Sequence, residues 1–266
     1  ITGGTIGFGP EVYTIDAPLD DDTTAEVLTQ ELRVAGGSDR TDWVAGLFYS
    51  AIDRDYGQSL FVDGFEDLTG IPTMGNFGAG KDILFFSDLR YEFDQLAFFG
   101  EVTYSVSEKV ELTGGLRWYD FDESRVQTFD GIFADPGTNA GSTTADGVAP
   151  RVMASYAVSA ATRLNAQVSK GFRLGGINDP LNVPLCTEED LERFSGFPTW
   201  DDEEVWNYEV GSKSVIMGGR GSFNAALFYM DISDLQATAT AGSCSSRIIL
   251  NVPEASSSGI EFEWAA

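Results

Sequence analysis

Phe98 to Trp118 reads FFGEVTYSVSEKVELTGGLRW, and both halves of the stretch carry a two-residue rhythm. In the first half Phe98, Gly100, Val102, Tyr104 and Val106 fall on one face, and Phe99, Glu101, Thr103 and Ser105 on the other. In the second half Val110, Leu112, Gly114, Leu116 and Trp118 oppose Glu111, Thr113, Gly115 and Arg117. Alternation with period two marks a strand with unlike faces, whereas a helix would repeat every 3.6 residues. Only Ser107–Lys109 separates the halves, so two strands with one oily and one polar face are joined by a short turn.

The rhythm recurs outward from this pair. Val152, Ala154, Tyr156 and Val158 alternate with Arg151, Met153, Ser155 and Ala157; Leu164, Ala166 and Val168 alternate with Asn165, Gln167 and Ser169. The chain reads as nine strands, near 25–35, 43–52, 83–106, 110–119, 148–158, 162–173, 204–214, 222–235 and 247–264. Connections alternate between short (Gly36–Asp42, Ser107–Lys109, Ser159–Ala161, Val215–Gly221) and longer (53–82, 120–147, 174–203, 236–246). Antiparallel strands of roughly ten residues, with short turns at one end and long loops at the other, predict a wall of a transmembrane β-barrel. A soluble sandwich has shorter strands and no such alternation. The fold class is therefore all-β, an antiparallel transmembrane β-barrel that is partial, with long acidic outer loops and short inner turns. On this map Trp43, Tyr104, Tyr156 and Trp264 lie at the inner ends, and Trp118, Phe172, Trp206 and Tyr229 at the outer ends, as two aromatic girdles would. Gln30 is a misfit, sharing the apolar face of Leu28, Leu32 and Val34.

Charge narrows the function. The formal net charge is −26, from 42 acids and 16 bases, with no His. A chain this acidic, without a basic block, does not suit nucleic acid or an anionic membrane surface. Without His there is no imidazole acid–base catalysis, Ser-His-Asp triad or imidazole metal site in this stretch. No uncharged apolar run approaches the roughly 18 residues of a membrane-spanning helix. Ile1 to Pro10 lacks the basic start and apolar stretch of a signal peptide. The segments 1–24, 53–82, 120–147 and 174–204 hold 26 of the acids and 4 of the bases, so the acidity belongs to the expected outer loops. The clusters Asp20-Asp21-Asp22 and Asp201-Asp202 are of a kind that takes Ca²⁺. Solvated loop surface is the plainer reading of both. Cys186 and Cys244 have no CxxC partner, leaving one disulfide and two unrelated thiols as equal alternatives.

Other motifs dissolve on inspection. Gly75 to Lys81, GNFGAGK, has the GxxxxGK half of a phosphate-binding loop, but Asp82 stands where Mg²⁺ needs Ser or Thr. It reads as a flexible loop tip. Asp120 and Asp122 share a strand face without any sign of a cleft for glycoside hydrolysis. Ser169-Lys170 and Ser212-Lys213 lack a hydrolase context. No catalytic constellation emerges, and the chain reads as a non-enzyme.

Four segments in order, SKGFRLGGIN (Ser169–Asn178), EVWNYEVGSKS (Glu204–Ser214), NAALFYMDISDLQ (Asn224–Gln236) and NVPEASSSGIEFE (Asn251–Glu263), resemble the barrel of TonB-dependent outer-membrane receptors. TQELRVAG (Thr29–Gly36), DWVAGLFYS (Asp42–Ser50) and ELTGGLRWYDF (Glu111–Phe121) resemble it too. The resemblance implies a 22-stranded barrel with an N-terminal plug. It implies active uptake of a scarce small-molecule solute, siderophore or other nutrient, energised through the TonB complex in a Gram-negative outer membrane. Outer-membrane lipid would be a partner and nucleic acid would not. Nine strands, no plug-like segment and an end at Trp264-Ala265-Ala266 make residues 1–266 a partial barrel domain on this reading. The resemblance also places Cys186 and Cys244 in loops at the same end of adjacent hairpins, favouring a disulfide between them.

Solute contacts are expected from Arg117, Arg151, Arg173, Asn178, Trp200 and Trp206, residue types that anchor binding sites. Arg117 and Arg151 have a competing role, pairing with lumen acids such as Glu101 and Glu111, and Trp206 a competing place in the girdle. The acidic loops lean toward a neutral or cationic solute. A passive porin-like channel and a surface β-sandwich for adhesion are the rival classes.

Overall fold

The computed structural model describes residues 8–265; Ile1 to Gly7, where the sequence shows no signal-peptide start, and Ala266 lie outside the described residues. Eleven strands run in chain order: β1 (Leu19–Gly37), β2 (Thr41–Phe61), β3 (Ile83–Ser107), β4 (Val110–Asp130), β5 (Gly137–Ala157), β6 (Thr162–Arg173), β7 (Gly176–Ile177), β8 (Thr199–Trp200), β9 (Glu203–Ile216), β10 (Gly221–Ala241) and β11 (Ser246–Ala265). Nine of them make one antiparallel sheet in the order β1-β2-β3-β4-β5-β6-β9-β10-β11, as the spacing predicts. β7 and β8 pair with each other inside the β6–β9 connection. Two short helices, α1 (Phe65–Thr69) and α2 (Glu188–Phe194), sit in the two irregular connections at the outer end.

The two faces of this sheet meet different solvents. Leu116, Val152, Val210, Leu227 and Ile260 point to one side and stay more than half exposed, and across the ladder they meet each other or small residues, as in Val210–Leu227 and Leu227–Ile260. In water such a face would be covered; a bilayer covers it without protein. No second layer packs on it among the described residues, which removes the sandwich reading. Trp43, Tyr104, Tyr156 and Trp264 rim the band at its inner edge. Trp118 stacked on Phe98, and Tyr208 beside Tyr229, rim the outer edge. Gln30 pairs with Tyr49, whose hydroxyl donates to Asp94 at 2.8 Å, so it sits at the polar margin of the band. Phe172 leaves the outer girdle and stacks on Tyr119, with ring centroids 3.6 Å apart.

The strands run well past the band, which corrects three expected loops: β2 continues to Phe61, taking the first part of 53–82. β4 continues to Asp130 and β5 starts at Gly137, so 120–147 is mostly hairpin; β10 and β11 close up likewise, leaving only Gly242–Ser245 between them. Alternation persists there, with Tyr119, Phe121, Glu123, Arg125, Gln127 and Phe129 buried and Asp120, Asp122, Ser124 and Val126 exposed. Above the bilayer neither face is lipid, so the oily-versus-polar code fails while the geometry continues. Acids on the outward face imitate loop composition. β5 also parts from β6 here: their ladder ends at Arg151–Ser169, and the next β5 residue upward is Pro150, which has no N–H to give a neighbouring strand. At the inner end the connections are tight. The β9–β10 turn holds Met217, Gly218 and Gly219 at φ 52°, 67° and 94°, a run that glycine makes sterically cheap.

The larger buried cluster lies at the outer end, where loops pack on the strand tips; a smaller one joins Leu89 and Phe129 of the sheet to Ala134. Val62 and Phe65 from the β2–β3 connection, Leu84, Phe133, and Leu181, Leu185 and Phe194 from the β6–β9 connection pack with Ala241 and Ile248 at the β10–β11 tip. Phe8 and Val12 join them, Phe8 meeting the Phe65 ring edge-on at 5.3 Å. Cys186 and Cys244, both buried, form a disulfide with Cα atoms 4.4 Å apart.

Candidate functional site

Beneath this loop cluster, on the inner face, is a cavity of about 820 Å³. β2, β3 and β4 furnish one wall through Arg54, Tyr91, Phe93, Phe121, Glu123 and Arg125. Opposing residues come from the end of β6 (Arg173), the β6–β9 connection (Asn178, Asp179, Trp200), and β10 and β11 (Thr238, Arg247, Ile249). Tyr91, Phe93 and Arg125 face inward because they keep the parity of Phe99, Glu101 and Arg117 lower on the same strands. The opposite parity of β2, β3 and β4 carries Asp53, Asp55, Glu92, Asp94, Asp120 and Asp122, all exposed. Alternation thus puts most carboxylates of these strands outside, where Arg90 joins them, while the cavity gathers four guanidiniums, Arg54, Arg125, Arg173 and Arg247, with the carboxylates of Glu123, Asp179 and, on Arg173, Glu203.

The aromatic wall is continuous, Tyr91 stacking near Phe93 at 6.0 Å and Phe93 near Phe121 at 6.2 Å. Arg54 lies over the rings of Tyr56 and Tyr91 at 5.1 and 5.6 Å, and Arg125 over Tyr91 at 5.7 Å. Arg125 Nη1 donates to Asp179 at 3.3 Å, while its Nε and Nη2, and Trp200 Nε1, are buried without a partner. Glu123 is buried, and burial pushes its carboxyl above the usual range, Asp179 adding to the rise and Arg125 opposing it.

The expected contacts divide by height and face. Arg173, Asn178 and Trp200 line the cavity. Arg173 is held by Glu203 at 2.6 Å and by the Gln236 carbonyl at 2.9 Å. Asn178 is fully engaged: its Nδ2 donates to the Phe197 and Ile249 carbonyls, and its Oδ1 accepts from Ile249 N–H. It clamps the loop to β11. Trp200 packs on Gly176, where a Cβ would come within 2.4 Å of the indole, so this β7–β8 crossing requires glycine. Arg117 lies low on the inner face over the Phe48 ring, and Arg151 pairs with Glu101 at 3.2 Å, the competing role named for it. Trp206 points to the lipid side, opposite Lys170 and Asp231, away from the cavity. Arg54, Tyr91, Glu123, Arg125 and Arg247 are the residues the sequence reading missed. Arg54, Glu123 and Arg125 fall in stretches taken for loops and Arg247 at a strand margin, whereas Tyr91 lies inside the strand read at 83–106; only continued period two through 119–129 could have revealed the β4 members.

The acidic clusters spread rather than gather. Asp20, Asp21 and Asp22 alternate between faces of β1, and among the described residues no group of three or more Asp, Glu, His or Cys is arranged to hold a metal ion. Asp202 instead accepts from Gly175 N–H at 2.6 Å, and Asp201 N–H donates to Asn251. The GNFGAGK segment is not a free loop tip. Its amides do cradle an anion, the carboxylate of Asp130, which accepts from Phe77 N–H at 2.7 Å and Ala79 N–H at 3.0 Å while remaining 1% exposed. Asp82 pins the other end, accepting from Gly64 and Glu66 N–H.

Residues 4–266 match the family described as TonB dependent receptor-like, beta-barrel. Among solved structures, the ferric yersiniabactin uptake receptor FyuA from Yersinia pestis superposes with a TM-score of 0.69 at 18% identity, over 92% of this chain and 33% of that one. The copper transporter OprC gives 0.62 at 16% identity, over 93% and 36%. The siderophore receptor PiuA from Acinetobacter baumannii gives 0.59 at 15%, over 92% and 36%. The chain spans about a third of the length of each. With the family matching nearly end to end and the same nine-stranded wall in the fold, this chain belongs to the TonB-dependent receptor β-barrel family.

Proposed function

We propose that this chain forms part of the wall and outer mouth of an active-transport receptor in the outer membrane of a Gram-negative bacterium, taking up a scarce small solute with energy relayed through TonB. The observation that carries the reading is the two-faced sheet: a lipid-suited band with aromatic rims on one side, a polar, ring-lined cavity at the outer end of the other. Solved structures of like fold include receptors for ferric yersiniabactin and alcaligin and a transporter for copper, so a metal-bearing solute is the reference class. The apolar loop cluster over the cavity favours a covered receptor over an open porin-like channel. The work described is binding and passage, without bond making.

The test uses the full-length protein in cells. Fractionation should place it in the detergent-extracted outer membrane, and uptake of its metal complex should stop when TonB is deleted or the proton-motive force collapsed. Recovery as a stable soluble monomer, or uptake indifferent to TonB, would sink the reading.

A further inference from the structure

We propose that the free upper edge of β5 docks an extended, basic peptide segment of another protein, which adds to the edge as a strand. β5 pairs with β4 over nearly its whole length, from Gly137 opposite Phe129 to Tyr156 opposite Val110. On its other side it pairs with β6 only from Arg151 to Ala157. Backbone bonds at the inner end fix which residues serve which neighbour. Ala157 N–H donates to Lys109 on the β4 side, and Val158 N–H to Thr162 on the β6 side. In an antiparallel sheet a residue turns both backbone groups to the same neighbour, and the next residue turns them to the other. The register with β4 runs without a bulge, so even positions of β5 serve the β6 side. Above Arg151 this leaves both backbone groups of Ser142, Thr144, Asp146 and Val148 without a partner among the described residues. Pro150 shares their parity, and its missing N–H marks where the β6 ladder stops.

Proteins guard long free edges with lysine, proline or a bulge, and 142–149, STTADGVA, has none of these. The opening is bounded at both ends. At the top Ile177 packs on Gly141, where a Cβ would come within 3.2 Å of its side chain. At the foot Tyr119 lies across Gly147 and stacks on Phe172 of β6, which braces the wall just past the end of the ladder. Further barrel strands would join β1 and β11, the two ends of the sheet, and leave this edge as it is. Charge selects the occupant. Asp146 stands on β5, and Asp201, Asp202 and Glu204 come from the start of β9 across the opening. Burial pushes the Asp202 carboxyl above its usual range, and Glu204, Asp201 and Asp146 add to the rise, so these acids converge. Lys170 holds Glu204 at 2.6 Å, but among the described residues no Lys or Arg pairs with the other three. Asp120, directly opposite Asp146 on β4, adds a like charge that an arriving cation would relieve. A basic strand is thus matched in backbone and in charge. A second copy of this chain would offer the same acidic edge and be repelled.

The test titrates the full-length receptor, in nonionic detergent, with a fluorescent octapeptide of alternating Lys and Thr, read by anisotropy. One control alternates Glu and Thr. The other is the Lys-Thr peptide N-methylated at every second residue, which keeps the charge and loses the donors of a strand. The Lys-Thr peptide should bind at least about tenfold more tightly than either control. Thr144→Pro removes one edge N–H at a position with the parity of Pro150, and should weaken binding by about tenfold. Asp146→Asn should weaken it several-fold, and keeps the test alive if the proline variant misfolds. In the free receptor the amides of Thr144, Asp146 and Val148 should exchange fast beside slow Thr143, Ala145 and Gly147, and the peptide should slow the fast set. Equal binding of the acidic or N-methylated peptide, or no binding of the basic one, overturns the proposal. So does protection of the even amides before peptide is added, which would mean that another segment of the full-length protein already fills the edge. None of these readouts depends on transport.

Discussion

Replacing Asp130 with Asn would leave the N–H groups of Phe77, Ala79 and Gly131 facing a side chain with one accepting atom and an amide that repels them. The cost should be about 1–3 kcal/mol, confined to the outer loops. Faster hydrogen exchange in residues 75–81, with the barrel unmoved, is the readout. Burial pushes the Asp130 carboxyl up, but hydrogen bonds from Ala79, Gly131, Phe77 and Gly78 N–H outweigh it and hold it below the usual range. The sign follows: the contribution is complete above the unfolded value of about 3.9 and is lost only as pH falls through the lower folded value. Residues 75–81 should therefore stay protected at pH 5. Glu123 runs the other way. Its raised value means the folded protein holds the proton more tightly, so stabilisation present below the unfolded value of about 4.3 is lost as pH rises through the folded value. Glu123→Gln should stabilise the outer end above that window, and an unchanged pH profile of unfolding would contradict it.

At the level of strands, sidedness makes a sharp forecast. Leu227 lies between Phe223 and Tyr229 on the outward face of β10, whereas Asn224 faces inward beside Glu263. Leu227→Lys should cost about 2–4 kcal/mol in a bilayer, and Asn224→Lys little, as measured by urea unfolding in lipid. The disulfide joins the β6–β9 connection to the β10–β11 tip, so Cys186→Ser with Cys244→Ser should cost about 2–4 kcal/mol in that cluster. Protease cleavage near 180–195 would report it. These elements also show how far sequence carries. Inside the band, where one face is lipid, alternation of oily and polar residues located all nine strands. Above it, Phe121 to Phe129 still alternates in space, but Glu123 and Arg125 face inward and Val126 outward, so hydropathy lost the signal. The cavity was half legible: Arg173 and Trp200 flank strand ends that the pattern marked, while Arg54 and Arg125 sat in apparent loop. The pairing partners of Asp130 and the unpaired donors of Arg125 are three-dimensional facts that no spacing encodes.

Taken whole, the sheet leaves β1 and β11 each with one long edge unpaired among the described residues. Such edges seek partners, so this chain expressed by itself should give oligomers or aggregates in detergent, and a folded monomer by light scattering would refute that. The overhang of the strands has a consequence of its own. Arg125 stands seven residues beyond Trp118 on β4, which at about 3.3 Å per residue and a tilt near 40° is about 18 Å above the bilayer rim. The outer cavity and the lipid-suited band thus sit at different altitudes on the same strands. Arg54 and Arg247 at the upper level have no ion-pair partner among the described residues, whereas Arg151–Glu101 and Arg163–Glu111 lower on the inner face are paired. On the transport reading proposed above, a solute held in that outer cavity would leave it before its descent through the band begins.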